Sequence, residues 1–100
     1  MWEAILESPN ISNSCKPGQF VNIVPSEKWD NVMRRPMSIA GVEDNCIKLL
    51  YKIIGNGTNT MSKWKNGDKI DVIGPLGNEF GNYENFLPIL IGGGTGTAPL

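Results

Sequence analysis

Twelve glycines and seven prolines divide this 100-residue sequence into pieces too short for long helices. Between these breaks the apolar residues mostly alternate with period two, the spacing of a strand with one buried face. Residues 19–25 (QFVNIVP) read as a strand after the turn Lys16-Pro17-Gly18. Residues 35–42 (RPMSIAGV) follow, with Met37 and Ile39 on one face and Ser38 and Ala40 on the other. In 46–54 (CIKLLYKII) the alternation is clearest: Ile47, Leu49, Tyr51 and Ile53 share a face, with Lys48 and Lys52 opposite. Residues 68–75 follow the turn Asn66-Gly67, and 2–8 make a weaker first strand. Short strands joined by Gly/Pro turns predict a mainly β fold, a small antiparallel barrel.

Two stretches break this rhythm. In 57–65 (GTNTMSKWK), Met61, Trp64 and Lys65 stand at helical offsets, and Thr58 is placed to cap a short helix. In 86–100 (FLPILIGGGTGTAPL), an apolar strand over 87–91 runs into glycines, the opening of a βα unit in a parallel sheet. One such strand cannot bury both faces alone. The expectation is therefore a domain over 1–84, clipped at its start because Trp2 is already strand-like, and over 85–100 the beginning of an α/β domain cut off at residue 100.

Composition excludes several classes of function. Nine basic residues against ten acidic ones give a net charge of −1, without the basic excess expected of a nucleic-acid or membrane-surface protein. No apolar run approaches the roughly 20 residues of a membrane span, and the N-terminal MWEAILESP lacks the pattern of a signal peptide. There is no histidine. The two cysteines, Cys15 and Cys46, have no metal-ligand spacing and read as free thiols of a cytoplasmic protein.

Four constellations could carry chemistry. Arg35-Pro36-Met37-Ser38 combines a planar guanidinium suited to phosphate oxygens with a hydroxyl that donates and accepts. The alternative is a solvent-facing pair, Arg34 and Arg35, on an edge strand blunted by Pro36. Gly55-Asn56-Gly57-Thr58 lets backbone amides approach an anion at a helix start, or is an ordinary strand-to-helix turn. Gly92-Gly93-Gly94-Thr95-Gly96 suits a pyrophosphate but does not fit G-x-G-x-x-G, because the third glycine slot holds Thr97 or Pro99. Pro99 suits the first turn of a helix. Gly74 to Phe80 reads as a loop whose glycines need no function. Trp2, Trp29 and Trp64 read as core or cover, Asp68 and Asp71 do not form a catalytic pair, and the cysteines read as inert.

The order of these motifs resembles the ferredoxin reductase superfamily: Arg-x-x-Ser on a strand, Gly-x-Gly-Thr before a short helix, Gly-Pro-Leu-Gly, then Gly-Gly-Gly-x-Gly after an apolar strand. KPGQFV, RRPMSI, LLYKIIGNGT, GDKIDVIGPLGNEF and ILIGGGTGTAPL are similar to one branch, the electron-transfer subunits of NAD-linked, type B dihydroorotate dehydrogenases. The similarity runs from Trp2 to Leu100.

The resemblance implies a six-stranded antiparallel barrel that binds FAD, followed by an α/β domain that binds NAD. It implies that Arg35 contacts the FAD diphosphate, that the main chain of Pro36 and Met37 passes the isoalloxazine, and that Ser38 sets its hydroxyl near the redox-active nitrogen. Leu50, Tyr51 and Lys52 would line the cofactor, Gly57 and Thr58 would hold the diphosphate, and Gly92, Gly93, Gly94, Thr95 and Gly96 would face NAD. The sequence departs from the wider superfamily at Met37, where plant-type reductases carry a stacking Tyr.

The implied activity is an oxidoreductase subunit of pyrimidine biosynthesis. Electrons from dihydroorotate pass through FMN on a catalytic partner subunit and a [2Fe–2S] cluster to FAD, then to NAD⁺. A cluster takes four ligands and this sequence has two cysteines, so its ligands are expected further along the chain, and this stretch alone would not complete NAD⁺ reduction. Competing readings are another flavin reductase chain, such as a transhydrogenase or sulfite reductase subunit, and a cofactor-free β-barrel interaction module.

Overall fold

The structure, a computed structural model, describes residues 1–28 and 33–100; Trp29 lies outside them. In chain order the elements are β1 (Trp2–Glu7), α1 (Pro9–Ser14), β2 (Phe20–Val24), β3 (Arg35–Glu43), β4 (Cys46–Tyr51), α2 (Asn56–Met61), β5 (Asp71–Leu76) and a 3-10 turn at Gly94–Thr97. The strands form one antiparallel sheet in the order β1-β4-β3-β2-β5.

Alternation builds the core as expected. Ile47, Leu49 and Tyr51 of β4 and Val21 and Ile23 of β2 are buried, and Met61 of α2 and Ile11 of α1 pack with them. Trp64 covers this cluster and donates from Nε1 to the Pro25 carbonyl at 2.8 Å. The β3–β4 turn falls at Asp44 and Asn45, whose φ values of 49° and 66° lie in the left-handed region that these short polar residues tolerate. Across that hairpin Lys48 Nζ meets Glu43 Oε2 at 2.9 Å. The hydrogen bond and charge of this pair hold the Glu43 carboxyl below its ordinary pKa and the Lys48 ammonium above its own.

The expected closed barrel is not formed. Among the described residues there are five strands rather than six, and the two edge strands, β1 and β5, do not pair with each other. Between them opens a cavity of about 860 Å³, with Trp2, Leu6, Tyr51, Met61, Trp64 and Val72 in its lining.

The element boundaries differ in several places. α1 was not anticipated; Pro9 starts it, where a fixed φ and a missing N–H are both tolerated. β4 ends at Tyr51 rather than at residue 54, because the Ile54 N–H donates to the Thr58 hydroxyl at 2.9 Å instead of to a strand, and Ile53 is left exposed. Gly74 to Leu76 belong to β5 rather than to a loop. Opposite Val21 the β2–β5 register slips, and a Cβ on Gly74 would lie 2.6 Å from Val21 Cγ1, so the bulge requires glycine. Residues 87–91 form no strand: they pair with no strand among the described residues, and Leu87 is 90% exposed and Ile91 88%. Pro99 follows the 3-10 turn.

Candidate functional site

β3 serves two neighbours with two halves. Arg35 to Ser38 pair with β2 (Ile23↔Arg35 through Phe20↔Ser38), and Ile39 to Glu43 pair with β4 (Ile39↔Leu49 through Glu43↔Cys46). Among the described residues the β3–β4 ladder stops at Ile39↔Leu49, with a register shift just before it. Beyond that point β4 continues on β1 alone, through Glu3↔Leu50 and Trp2↔Tyr51. The two strands therefore part beyond Ser38 and Leu50, leaving 35–37 and 51–54 unpaired with each other as the two sides of a wedge. The Ile39 N–H donates to the Gln19 carbonyl on the β2 side at 3.2 Å. By alternation the nitrogens of Pro36 and Ser38 turn the other way, toward β4, with Ser38 opposite Leu50 beside the last β3–β4 pair and Pro36 beyond it. Proline, which has no N–H, loses no ladder bond there.

The chain that leaves β4 crosses the mouth of this wedge as α2. Thr58 does not stand at the N-cap; Gly55 does, and Thr58 sits three residues in. Its buried Oγ1 accepts from the Ile54 and Gly55 N–H groups at 2.9 and 3.2 Å and donates to the Gly55 carbonyl at 3.3 Å, which ties the turn together. This internal brace presents Gly57 to β3. A Cβ added at Gly57 would lie 2.8 Å from Arg35 Nε and 3.0 Å from Arg35 Cγ. The arginine stem thus lies directly on the Gly57 backbone. Two segments more than twenty residues apart, each singled out for phosphate chemistry, meet at one place.

The two arginines part company. Arg34 Nη1 pairs with Asp71 Oδ1 of β5 at 2.9 Å, while Arg35 goes to Gly57. β3 is an inner strand of the sheet and both arginines are half-buried, so the reading as a solvent-facing pair on an edge strand does not hold. Met37 packs against the core and Tyr51 lies within it, its phenol pushed above its ordinary pKa by burial. These two residues can line the wedge only with their backbone. Leu50 is half-buried on the opposite face of β4, and Lys52 is exposed. Lys52 Nζ lies 3.7 Å from where a Cβ of Gly94 would stand, which brings the glycine-rich turn to the same end of the sheet as the wedge. Gly94 has φ +56°, and a Cβ on Gly92 would meet the Leu100 and Thr97 side chains at 2.7 and 3.0 Å.

This arrangement makes Gly57 a sensitive test position. Gly57→Ala is expected to displace the Arg35 side chain while leaving the α2 backbone, whose φ is not left-handed, intact. Its effect on anion binding should approach that of removing Arg35, with a far smaller change in melting temperature; parallel binding and thermal-melt measurements separate the two.

No protein-family model matches the sequence. Curated relatives do. The chain is 39% identical over 97 residues to the electron transfer subunit of dihydroorotate dehydrogenase B (NAD(+)) from Fusobacterium nucleatum, covering 91% of this chain and 38% of that protein. To the subunit of the same name from Bacillus mycoides it is 38% identical over 105 aligned positions, covering all of this chain and 40% of the relative. The chain belongs to this subunit family. It spans about two fifths of the length of the relatives it matches. A solved chain of an NADH-dependent reduced ferredoxin-NADP oxidoreductase, described in connection with flavin-based electron bifurcation, superposes with a TM-score of 0.72 at 35% identity, over 79% of this chain and 29% of that one.

Sequence reasoning did not assign Gln19 or Ile54 to this neighbourhood. Ile54 acts through its backbone N–H, which composition does not single out. Gln19 reaches a residue 58 positions away, a contact with no local signature.

Proposed function

We propose that this chain is the FAD-holding part of an electron-transfer subunit, an oxidoreductase component that passes electrons from dihydroorotate oxidation to NAD⁺ in the cytoplasm. The observation that carries the reading is the packing of Arg35 on Gly57. The donor set fits a diphosphate. A guanidinium fork lies on a glycine with no side chain to hold an anion away, beside a turn whose amide orientations are fixed by Thr58. Bound FAD supplies electron transfer in one- or two-electron steps. The chain's own part is to hold and tune: Arg35 neutralises the diphosphate, the backbone of Pro36 and Met37 lines the ring along the wedge, and Ser38 offers a hydroxyl at its redox-active edge. Leu50, Tyr51 and Lys52 form the opposite wall.

In this proposal residues 1–84 are the FAD domain, and a sixth strand closes the seam between β1 and β5. Residues 85–100 begin the NAD domain, where Gly92 to Gly96 face the nicotinamide nucleotide and the bare apolar run 87–91 becomes a sheet strand. The partners are an FMN-containing catalytic subunit and a [2Fe–2S] cluster whose ligands lie outside this stretch. Among the described residues no helix is long and apolar enough to cross a membrane.

The test is to purify the full-length protein with its catalytic subunit and denature it. The expected result is FAD released at about one equivalent per chain, together with dihydroorotate-dependent reduction of NAD⁺. Absence of flavin would refute the assignment. The superposition on the ferredoxin-NADP oxidoreductase favours a second reading, a transhydrogenase chain. In that case the preparation holds FAD but exchanges electrons between NADH and NADP⁺ and is indifferent to dihydroorotate.

A further inference from the structure

The Gly74–Phe80 motif takes no part in the site described above, yet its far end is tied to that site through one side chain. Gln19 Nε2 donates to the Gly77 carbonyl at 2.9 Å, and Gln19 Oε1 accepts from the Lys16 N–H at 2.8 Å. Beside this clasp the Phe80 N–H donates to the Pro17 carbonyl at 2.9 Å. Gly18, at φ +99°, lets the two loops approach so closely that a Cβ would lie 3.2 Å from the Phe80 nitrogen. Gly77, at φ +82°, similarly receives the Phe20 ring, 2.9 Å from where its Cβ would be.

The clasp ends on Ser38. The backbone carbonyl of the same Gln19 accepts the Ile39 N–H, and its neighbour Phe20 is the register partner of both Ser38 on β3 and Leu76 on β5. Leu76, Phe20 and Ser38 thus stand side by side across three strands, with Gln19 pinning the end of the middle one. Ser38 is held from both sides: Phe20↔Ser38 ties it to β2, and the adjacent Ile39↔Leu49 pair ties β3 to β4, so the Gln19 clasp sets the β2 side of its position.

We infer that Gln19 is a positioning residue for Ser38: its side chain locks the 16–20 and 77–80 loops together and thereby fixes the hydroxyl that Ser38 presents at the apex of the wedge. This inference rests on the proposal that Ser38 faces a flavin, and the experiment separates the two. The full-length flavoprotein is compared with Gln19→Met, which keeps length and neutrality but loses both side-chain bonds, with Ser38→Ala, and with the double variant. The readouts are the midpoint potential of bound FAD and amide exchange at Ile39 and Phe80.

Gln19→Met is expected to speed exchange at both amides by about tenfold, the scale of a lost hydrogen bond. It should also move the potential in the same direction as Ser38→Ala, with the double variant moving no further than Ser38→Ala alone, as coupled residues behave. Gln19→Asn, too short to reach both partners, gives the same comparison should Gln19→Met fail to fold. A lowered melting temperature with an unchanged potential, or a shift that adds fully to that of Ser38→Ala, would show Gln19 to be merely structural and overturn the inference. An unchanged potential in Ser38→Ala would remove the role of Ser38 and this inference with it. A wild-type protein without flavin would instead strike the functional reading itself.

Discussion

Arg35→Ala is expected to weaken FAD binding by about ten- to a hundredfold, the value of one or two charge-assisted hydrogen bonds to a phosphate. The sheet should survive. Arg35 begins β3 at the mouth of the wedge, and the side chains of the core cluster come from other positions. The loss should therefore appear in a flavin fluorescence titration of the apoprotein and hardly at all in its thermal melt. Riboflavin, which lacks the diphosphate, provides the internal control: its weaker binding should be nearly equal in wild type and variant. Arg35→Lys should recover only part of the affinity, because an ammonium restores charge without the planar fork. Full retention of FAD by Arg35→Ala would detach the guanidinium from the diphosphate.

Leu49→Ala should have the largest effect on stability. Leu49 is fully buried, stands opposite Ala4 of β1 and Ile39 of β3, and so lies where three strands meet. Truncating a leucine in such a position costs about 2–5 kcal/mol, from lost transfer energy and the cavity left behind. A domain of this size has roughly 5–15 kcal/mol in total, so the variant should melt far below wild type and lose flavin as a consequence of unfolding. The order of events in denaturant distinguishes it from Arg35→Ala. In Leu49→Ala, flavin release and loss of β-sheet signal coincide; in Arg35→Ala, flavin leaves a folded protein.

The strands were legible because each carries its own pattern. Ile47, Leu49 and Tyr51 alternate without interruption, and burial follows that alternation through Tyr51. What the sequence could not show was where neighbouring strands separate. The end of β4 depends on the Thr58 hydroxyl capturing the Ile54 amide, a competition between a helix brace and a ladder that local propensity does not resolve. The same holds for Thr58 as a brace from within the helix rather than a cap at its edge. Gly74 looked like loop punctuation because its reason for being glycine is Val21, more than fifty residues earlier. The strand over 87–91 failed for the opposite reason: its composition is right, but a strand exists only beside another, and none lies beside it here.

The site divides in the same way. The residue types of the Arg35 and Gly57 segments announced anion chemistry locally. Their convergence needed the break in the β3–β4 ladder and the return of α2 across it, both tertiary features. Their sequence order and spacing were enough for the resemblance to a known family, since order survives where contacts cannot be seen. Gln19 gave no chemical signal of its own and entered only within the KPGQFV stretch that carries the resemblance.

The most direct measurement is a crystal structure of the full-length protein with FAD bound. The account predicts a diphosphate held between the Arg35 guanidinium and the backbone amides at Gly57–Thr58, with the flavin ring running along 36–38 in the open wedge. A diphosphate bound elsewhere, with Arg35 still lying on Gly57 and no phosphate oxygen within hydrogen-bond distance of either, would contradict it.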